Sequence, residues 1–316
     1  MESGPVPTID ESLARELLEE QFPQWAGLPL VPLDPGGSDH VIFRLGDSLS
    51  VRLPRGDWAA GQALKEAEWL PRLAPLLPLE VPSPVGTGTP ALGYPWHWSV
   101  HRWLRGETVT DVVDQSDAPG PAAQLADFVR ALHRVPTPDR ASGSRNNGED
   151  AGGDGDAGLA RPRLSARDAS TRAAIAAVAD TFDAAALLRA WEDALAAPAW
   201  EDEHEPVWCH GDLHNGNLLI DQGRLTAVID FGSLGIGDPA IDLMAAYTLL
   251  SPRTREVFRQ RIGLDGATWA RGRGWALTTG LNAYTSYADT HPHVARQTYR
   301  QITQVWMDHA AGPVAP

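Results

Sequence analysis

A polar stretch in the second half of the chain, residues 208–242, constrains its chemistry most. It places carboxylates, amides and histidines at fixed spacing between short apolar runs. Asn217 follows Asp212 by five residues, and Asp230 follows Asn217 by thirteen. The apolar runs predict strands over 207–209, 218–220 and 225–229. The spacing therefore predicts a loop that carries Asp212 and Asn217, and a strand end that carries Asp230.

These three side chains fit a phosphoryl-transfer site. Transfer of a γ-phosphoryl group needs a base on the acceptor hydroxyl and oxygen ligands that hold Mg²⁺ over the phosphates. Because Mg²⁺ keeps several of its waters, one carboxylate and one amide oxygen from the protein are enough. The pattern favours Asp212 as the catalytic base and Asn217 and Asp230 as the metal ligands.

From about Leu30 to its C-terminus, the chain resembles the aminoglycoside phosphotransferases and their relatives, which share the protein-kinase-like fold. The motifs that carry the resemblance are HGDLHNGN at 210–217, IDFG at 229–232 and GDPAIDL at 237–243. The resemblance implies an α+β, bilobal fold with a small N-terminal antiparallel sheet and a larger, mainly helical C-terminal lobe. It assigns 1–104 to a nucleotide-binding lobe and 105–316 to a catalytic and substrate-binding lobe.

Composition and charge narrow the class of partner. The chain has 316 residues, 43% of them hydrophobic, which is enough for one large or two-lobed domain with a substantial core. It shows neither a signal segment nor a run of roughly 18 apolar residues, so a cytoplasmic protein without membrane contact is expected. The single cysteine, Cys209, excludes an intramolecular disulfide and is expected to be buried.

The formal charge of −15 argues against a nucleic-acid partner, which would need a basic surface. The same charge permits a cationic small-molecule substrate, although acidity also serves solubility alone.

The N-terminal part is predicted to be one helix followed by a small sheet. Thr8 and Glu11 have the spacing of a capping box and predict a helix over about 8–21. Strands are predicted over 28–33, 39–46 and 47–54. Between the first two strands, the backbone amides of Gly36, Gly37 and Ser38 could approach a triphosphate, with an ordinary hairpin turn as the alternative.

Arg52 stands where kinase-like folds carry a lysine that pairs with the nucleotide phosphates and with a helical glutamate. Arginine keeps the charge and binds phosphate through two N–H groups, but it is longer and planar. The only lysine, Lys65, falls in a helix predicted over about 59–70. On that helix Glu66 shares a face with apolar residues, so it is predicted to pair with Arg52. Glu68 instead lies near other charged residues of the helix. The alternative to a pairing with Arg52 is that both glutamates are exposed on the surface.

An aromatic strand is predicted over 93–107. By resemblance it leads into the hinge that joins the lobes, where backbone groups of His101, Arg102 and Trp103 would meet the adenine of ATP, with GTP as the alternative nucleotide. The tryptophans of this segment are better explained by packing than by base stacking, because few basic residues interleave with them.

The remainder is predicted to be mainly helical. The polar, glycine-rich segment 137–162 predicts a mobile insertion and lacks the residue spacing of a calcium loop. Asp238 and Asp242 are predicted to anchor the site loop, and Arg271 and Arg273 to pair with local acids. Helices are predicted over 119–134, 166–180, 183–197 and 238–250, and through 252–310.

By resemblance, the activity is ATP- and Mg²⁺-dependent phosphorylation of a hydroxyl on a small molecule, an aminoglycoside-type or related antibiotic above all. Kinases of macrolides, choline, homoserine or sugars share this nucleotide machinery and remain alternatives. Asn217 favours the aminoglycoside-type branch over the macrolide branch.

Two readings from other functional classes also stand. The first is a nucleotide-binding pseudokinase, and Arg52 is the only residue that supports it. A metallophosphoesterase would use His210, Asp212 and His214 as metal ligands, but the further ligands it needs lack the required spacing. His210 is otherwise expected to hold the loop by hydrogen bonds.

Overall fold

The computed structural model describes residues 8–34, 36–109, 119–138, 159–200 and 204–312. The chain forms two compact units, Met1–Gly106 with Thr226–Ser233, and Glu107–Leu225 with Leu234–Pro316. The short segment Thr226–Ser233, which carries Asp230, packs with the N-terminal residues. The lobe boundary predicted from the sequence had placed this segment in the C-terminal lobe. Most of the segment predicted to be an insertion lies outside the described residues.

The first unit is built on a five-stranded antiparallel sheet in the order β1-β2-β3-β5-β4. In this register Arg52 lies opposite Ile42 on one side and Ser99 on the other. Arg52 therefore occupies the middle strand of the sheet. The strands are β1 (Leu30–Pro32), β2 (His40–Leu45), β3 (Leu49–Pro54), β4 (Pro84–Gly88) and β5 (Trp98–Arg102).

Two helices complete the first unit, α1 (Glu11–Gln21) and α2 (Gln62–Leu73). The predicted capping box at Thr8 is wrong, because Asp10 caps α1 by accepting a hydrogen bond from the Leu13 N–H at 3.0 Å. The aspartate lies one residue before the helix, where its carboxylate reaches an unpaired N–H of the first turn. The apolar face of α1 packs against buried sheet residues that include Phe43, Val51 and Trp98.

The second unit contains short strands around the polar stretch, and three of them lie at the predicted apolar runs 207–209, 218–220 and 225–229. β7 pairs with β10, and β8 lies between β6 and β9. The turn from β8 to β9 has positive φ at Gln222 and Gly223, and β9 then continues into the first unit. The strands are β6 (Glu107–Thr108), β7 (Val207–Cys209), β8 (Leu218–Asp221), β9 (Arg224–Val228) and β10 (Gly235–Gly237).

Helices make up most of the second unit. Asp238 caps the segment that follows it, but that segment is a 3₁₀ helix, Pro239–Met244, before it becomes α6. The helices are α3 (Pro119–His133), α4 (Asp168–Ala177), α5 (Ala184–Ala196), α6 (Ala245–Thr248), α7 (Pro252–Ile262), α8 (Gly266–Tyr287) and α9 (Pro292–Ala310).

The long helix α8 packs closely against its neighbours through glycine. A Cβ atom at Gly274 would lie 2.7 Å from a methyl of Leu164 and 2.8 Å from the Cβ of Ala194 in α5. At Gly272 a Cβ would lie 2.7 Å from Leu243. These contacts are shorter than carbon atoms tolerate, so the glycines set how closely α8 approaches α5 and the 3₁₀ helix.

The described residues thus confirm the predicted fold class, an α+β chain with a small N-terminal antiparallel sheet and a larger, mainly helical C-terminal part. Among them there is no helix with both the length and the apolar character needed to span a membrane.

The close packing of α8 generates a prediction. Gly274→Ala should lower the free energy of unfolding by about 1–3 kcal/mol, because the added methyl overpacks the contact with Leu164 and Ala194. Urea denaturation followed by circular dichroism measures this. Gly266→Ala, at the open start of the same helix, is the matched control and should leave stability unchanged or slightly higher. Equal stability of both variants would show that the packing at Gly274 relaxes freely.

Candidate functional site

A buried charge cluster surrounds Arg52 in the first unit. Its Nη2 atom lies 3.4 Å from Asp230 Oδ1 and 4.0 Å from Glu66 Oε1. Burial opposes the charge of Arg52, but attraction by Glu66 and Asp230 outweighs it and raises the pKa of the guanidinium above its ordinary value. The cation is therefore kept, and two acids from separate segments converge on it.

The choice of Glu66 over Glu68 as the neighbour of Arg52 agrees with this geometry. Glu66 is 1% exposed, whereas Glu68 lies on the surface of α2 and pairs with Arg72 at 3.6 Å. Burial raises the pKa of the Glu66 carboxyl even though Arg52 attracts its charged form. The apolar face of the helix was thus the correct signal. The contact of Arg52 with Asp230 is one that the sequence analysis missed.

Asp230 has a backbone conformation that few residues adopt. It lies two residues after the end of β9, and its φ of 63° falls in the left-handed region. This conformation is uncommon for residues other than glycine. Residues with such strained backbones persist only where surrounding contacts hold them, and they are frequent at functional sites. About a third of the Asp230 side chain is exposed, so its carboxylate remains accessible to a ligand.

Two further polar residues of α2 form hydrogen bonds to groups that are distant in the chain. Lys65 Nζ donates to the carbonyl of Gly232 at 2.6 Å. Gln62 Nε2 donates to Asp39 Oδ2 at 2.8 Å, next to the glycine turn. Neither residue was given a role from the sequence, because a bond to a group distant in the chain leaves no motif.

His101 belongs to the same cluster through its side chain. It is 2% exposed, and its Nε2 atom lies 3.6 Å from Glu66 Oε2, longer than a hydrogen bond. Burial, with Arg52 nearby, lowers the pKa of His101 well below its ordinary value, so the ring is neutral. Among the described residues, Arg52 Nε, Glu66 Oε1 and both ring nitrogens of His101 have no hydrogen-bond partner. Because buried polar atoms are nearly always paired, this cluster fits a site for a polar ligand.

Two backbone N–H groups of the predicted hinge form hydrogen bonds within the first unit. The N–H of Arg102 donates to Ser83 O at 2.9 Å, and that of Trp103 donates to Ser48 O at 2.8 Å. The Arg44 guanidinium stacks over the Trp103 ring at 4.0 Å. These two N–H groups are therefore engaged, and in this conformation a nucleotide base would meet other groups of the segment.

The glycine turn between β1 and β2 is partly exposed. The carbonyl of Gly37 accepts a hydrogen bond from Arg55 Nε at 3.1 Å, and Ser38 Oγ donates to Asp39 Oδ1 at 3.3 Å. A Cβ at Gly36 would lie 3.3 Å from the Arg55 guanidinium. An arginine thus borders this turn, which gives it a positive neighbour suited to phosphate.

In the second unit, Asp242 fixes the loop that follows β7. Its buried carboxylate accepts hydrogen bonds from the backbone N–H of His210 at 3.1 Å and of Gly211 at 2.8 Å, and it contacts His133 Nε2 at 3.0 Å. Burial alone would raise the pKa of Asp242, but the bond from His133 and the other donors hold it below its usual value. The predicted anchoring role of Asp242 is confirmed.

A second carboxylate supports the same region. Asp238 caps the 3₁₀ helix through Ala240 N and pairs with Arg271 at 2.6 Å. Arg273 pairs with Asp308 at 3.4 Å. Both arginines therefore meet local acids, as predicted.

Asp212 and Asn217 lie together on this loop. Asn217 Nδ2 donates to the Asp212 carbonyl at 2.9 Å and to its carboxylate at 3.3 Å. Because the amide nitrogen is used in this way, the amide oxygen is the atom left for a cation. The Asp212 side chain is 44% exposed, so a substrate hydroxyl can reach it. His210 Nδ1 accepts from the Asp212 N–H at 3.2 Å, which is the structural role expected of His210.

Arg161 also supports the loop and was missed, because the sequence analysis placed it in the polar insertion. Its Nη2 atom donates to the carbonyl of Gly211 at 3.3 Å. Gly211 has a φ of 82°, a conformation that glycine adopts at little cost. The carbonyl and the N–H of this residue are thus both held, one by Arg161 and the other by Asp242.

One cluster in the described part of the chain has the residue types of a metal site, His133, Cys209 and Asp242, with ligand atoms within 4.8 Å of one another. Both Asp242 oxygens already accept hydrogen bonds. Burial raises the pKa of Cys209 well above its usual value, so the thiol keeps the proton that a metal would have to displace. The cluster includes neither Asp212 nor His214, which leaves the metallophosphoesterase reading without its ligand set.

The model of the phosphotransferase enzyme family matches residues 30–275. The aminoglycoside 3′-phosphotransferase of Streptomyces fradiae is 30% identical over 180 residues, which are 51% of this chain and 61% of that enzyme. The match thus spans about three fifths of the relative's length.

Solved structures show the same fold at low sequence identity. The GDP and kanamycin complex of APH(2")-IIia has a TM-score of 0.70 at 18% identity and covers 96% of this chain and 100% of the other. The macrolide 2′-phosphotransferase of Brachybacterium faecium has a TM-score of 0.59 at 21% identity, with 96% and 99% covered. The kinase-like fold that the sequence implied is confirmed, and since the family model matches most of its length, the chain belongs to the phosphotransferase enzyme family.

Proposed function

We propose that the protein is an ATP- and Mg²⁺-dependent O-phosphotransferase that phosphorylates a hydroxyl of a small molecule, with an aminoglycoside-type antibiotic as the leading acceptor. The observation that carries the proposal is the pairing of Asp212 with Asn217. An accessible carboxylate lies beside an amide whose nitrogen is used and whose oxygen is left for a cation. Membership of the phosphotransferase family supports the same reaction.

The donor set fits Mg²⁺. Asn217 offers an amide oxygen and Asp230 a carboxylate, and both are the hard oxygen ligands that Mg²⁺ prefers. The left-handed backbone of Asp230 shows that its placement is imposed by its surroundings. When bound, Mg²⁺ would neutralise charge on the nucleotide phosphates during transfer. We therefore assign Asn217 and Asp230 as its protein ligands.

The protein's own groups would divide the remaining work. Asp212 orients the acceptor hydroxyl and takes its proton. Arg52, kept charged by Glu66 and Asp230, binds the nucleotide phosphates, and the turn at Gly36–Ser38 lies against them. The nucleotide base lies near His101, Arg102 and Trp103, where carbonyl groups would contact it because the N–H groups of the last two are engaged.

The acceptor class follows from charge and from the relatives. Aminoglycosides are polycations, and the formal charge of −15 favours their approach. The Streptomyces fradiae relative is an aminoglycoside 3′-phosphotransferase, and a structural neighbour was solved with kanamycin. A macrolide or another small metabolite is the second candidate, because a macrolide enzyme shares the fold.

An acceptor screen tests the proposal. The protein is incubated with MgCl₂ and either ATP or GTP, and with aminoglycosides, macrolides and amino alcohols in parallel. Mass spectrometry then identifies a product that has gained one phosphoryl group, and NMR maps the hydroxyl. An aminoglycoside product is expected. Nucleotide binding without any product would instead support the pseudokinase.

Removal of the base should slow chemistry. Asp212→Asn should lower kcat by about 10²–10⁴-fold, because the amide cannot accept the hydroxyl proton in the transition state. Steady-state kinetics with the acceptor found in the screen measures this. Asp221→Asn, an exposed carboxylate at the end of β8, is the control and should behave like the wild type. Full activity of Asp212→Asn would remove Asp212 from the mechanism.

Loss of the Arg52 charge should weaken nucleotide binding. Arg52→Gln should raise KM for ATP on the order of tenfold or more, since a charge-assisted bond to phosphate is lost. Arg52→Lys keeps the charge and should recover part of the affinity. Arg224→Gln, at an exposed position of β9, is the control. Unchanged ATP kinetics in Arg52→Gln would mean that other groups hold the phosphates.

A further inference from the structure

One face of α2 carries three polar side chains with different partners, Gln62, Lys65 and Glu66. Their spacing places them on adjacent turns of the same side of the helix. Glu66 faces Arg52, Gln62 bonds Asp39, and Lys65 bonds the carbonyl of Gly232. A single helix face therefore contacts the strand arginine, the end of the glycine turn and the segment that carries Asp230.

The Lys65 contact is short and partly shielded from water. Its Nζ atom lies 2.6 Å from Gly232 O, and the residue is half-buried. Hydrogen bonds from a charged donor are about twice as strong as neutral ones. Gly232 is two residues after Asp230, whose φ of 63° must be held by its surroundings. The lysine thus bonds the backbone two residues after Asp230.

Gln62 also contacts this segment, at Gly232. A Cβ atom at Gly232 would lie 2.2 Å from Gln62 Oε1, so the Gln62 amide lies against the backbone of this segment. Lys65 and Gln62 thus both contact the segment. The chain's only lysine is therefore used on a backbone carbonyl of this segment, while an arginine takes the position on the sheet strand.

We propose that Lys65 is a positioning residue that holds the Asp230–Gly232 segment in the conformation in which the Asp230 carboxylate can bind Mg²⁺. This inference rests on the proposed function. Lys65 acts through the backbone of Gly232 and touches neither the metal nor the substrate. Its loss should therefore reduce the gain that Mg²⁺ brings to nucleotide binding and leave the metal-free binding of the nucleotide unchanged.

Titration calorimetry with ADP, and with GDP as a second nucleotide, tests this without an acceptor. Each protein is titrated once in MgCl₂ and once in EDTA. The variants are Lys65→Met, Lys65→Arg, and Arg72→Met as the matched control. Arg72 is another cation of α2, but it is exposed and pairs only with the surface residue Glu68 among the ion pairs of the described residues.

For the wild type we expect tighter binding in MgCl₂ than in EDTA. Lys65→Met should lose on the order of tenfold of the affinity in MgCl₂, because the segment without this bond populates the Mg²⁺-binding conformation less, and less than about twofold in EDTA. Lys65→Arg should recover most of the loss, and Arg72→Met should match the wild type. Equal magnesium dependence in Lys65→Met and the wild type would overturn the inference and leave the proposed function intact. A wild type that binds neither nucleotide would overturn both.

A second measurement uses the unmodified sequence, in case Lys65→Met fails to fold. Reductive ¹³C-methylation labels the single lysine and the N-terminal amine, and the methylated lysine keeps its charge and one N–H donor. The Lys65 signal should differ from its position in the denatured protein and should move when ADP and MgCl₂ are added together. A signal that keeps its denatured position in the folded protein would show that the Gly232 contact is not formed, and the inference would fail.

Discussion

The burial of the Arg52 guanidinium is the constraint on which the packing of the first unit depends. A buried charge is costly unless it is paired, and pairing here requires Glu66 from α2 and Asp230 from the segment after β9. These acids lie far from each other in sequence, so the strand, the helix and the Asp230 segment have to pack together to satisfy one cation. The arrangement that stabilises the first unit also brings Arg52, proposed to bind phosphate, into contact with Asp230, proposed to bind magnesium. Lys65 then adds a direct link from α2 to Gly232.

The second unit solves a similar problem with a buried anion. Asp242 is fully buried and is satisfied by two backbone N–H groups of the loop and by His133 of α3. Loss of the bond from the Gly211 N–H would leave Oδ1 unpaired in buried surroundings, which proteins seldom tolerate, whereas Oδ2 is shared by the His210 N–H and His133. The conformation of the loop is therefore determined by charge satisfaction away from the reacting groups. The Asp212 side chain is exposed, while its backbone N–H and carbonyl are held by His210 and Asn217.

Much of the fold could be predicted from the sequence because local signals agreed with tertiary packing. Short apolar runs located the strands around the polar stretch, and the apolar face of α2 identified Glu66 rather than Glu68. The local signals failed at α1, where two capping residues competed and Asp10 was closer to the helix start. They also failed at 238–250, where the chain begins as a 3₁₀ helix against α8. In both places the choice was made by geometry that spacing alone does not carry.

The sequence by itself predicted the chemistry, because phosphoryl transfer needs particular residue types in a fixed order and Asp212, Asn217 and Asp230 match that order. It also predicted the family and the α+β class. Only the tertiary structure decided which groups hold these residues in place. Lys65, Gln62 and Arg161 act on backbone carbonyls or polar groups distant in sequence. A carbonyl is present at every residue, so no motif marks such a contact, and it becomes visible only when packing brings the two segments together.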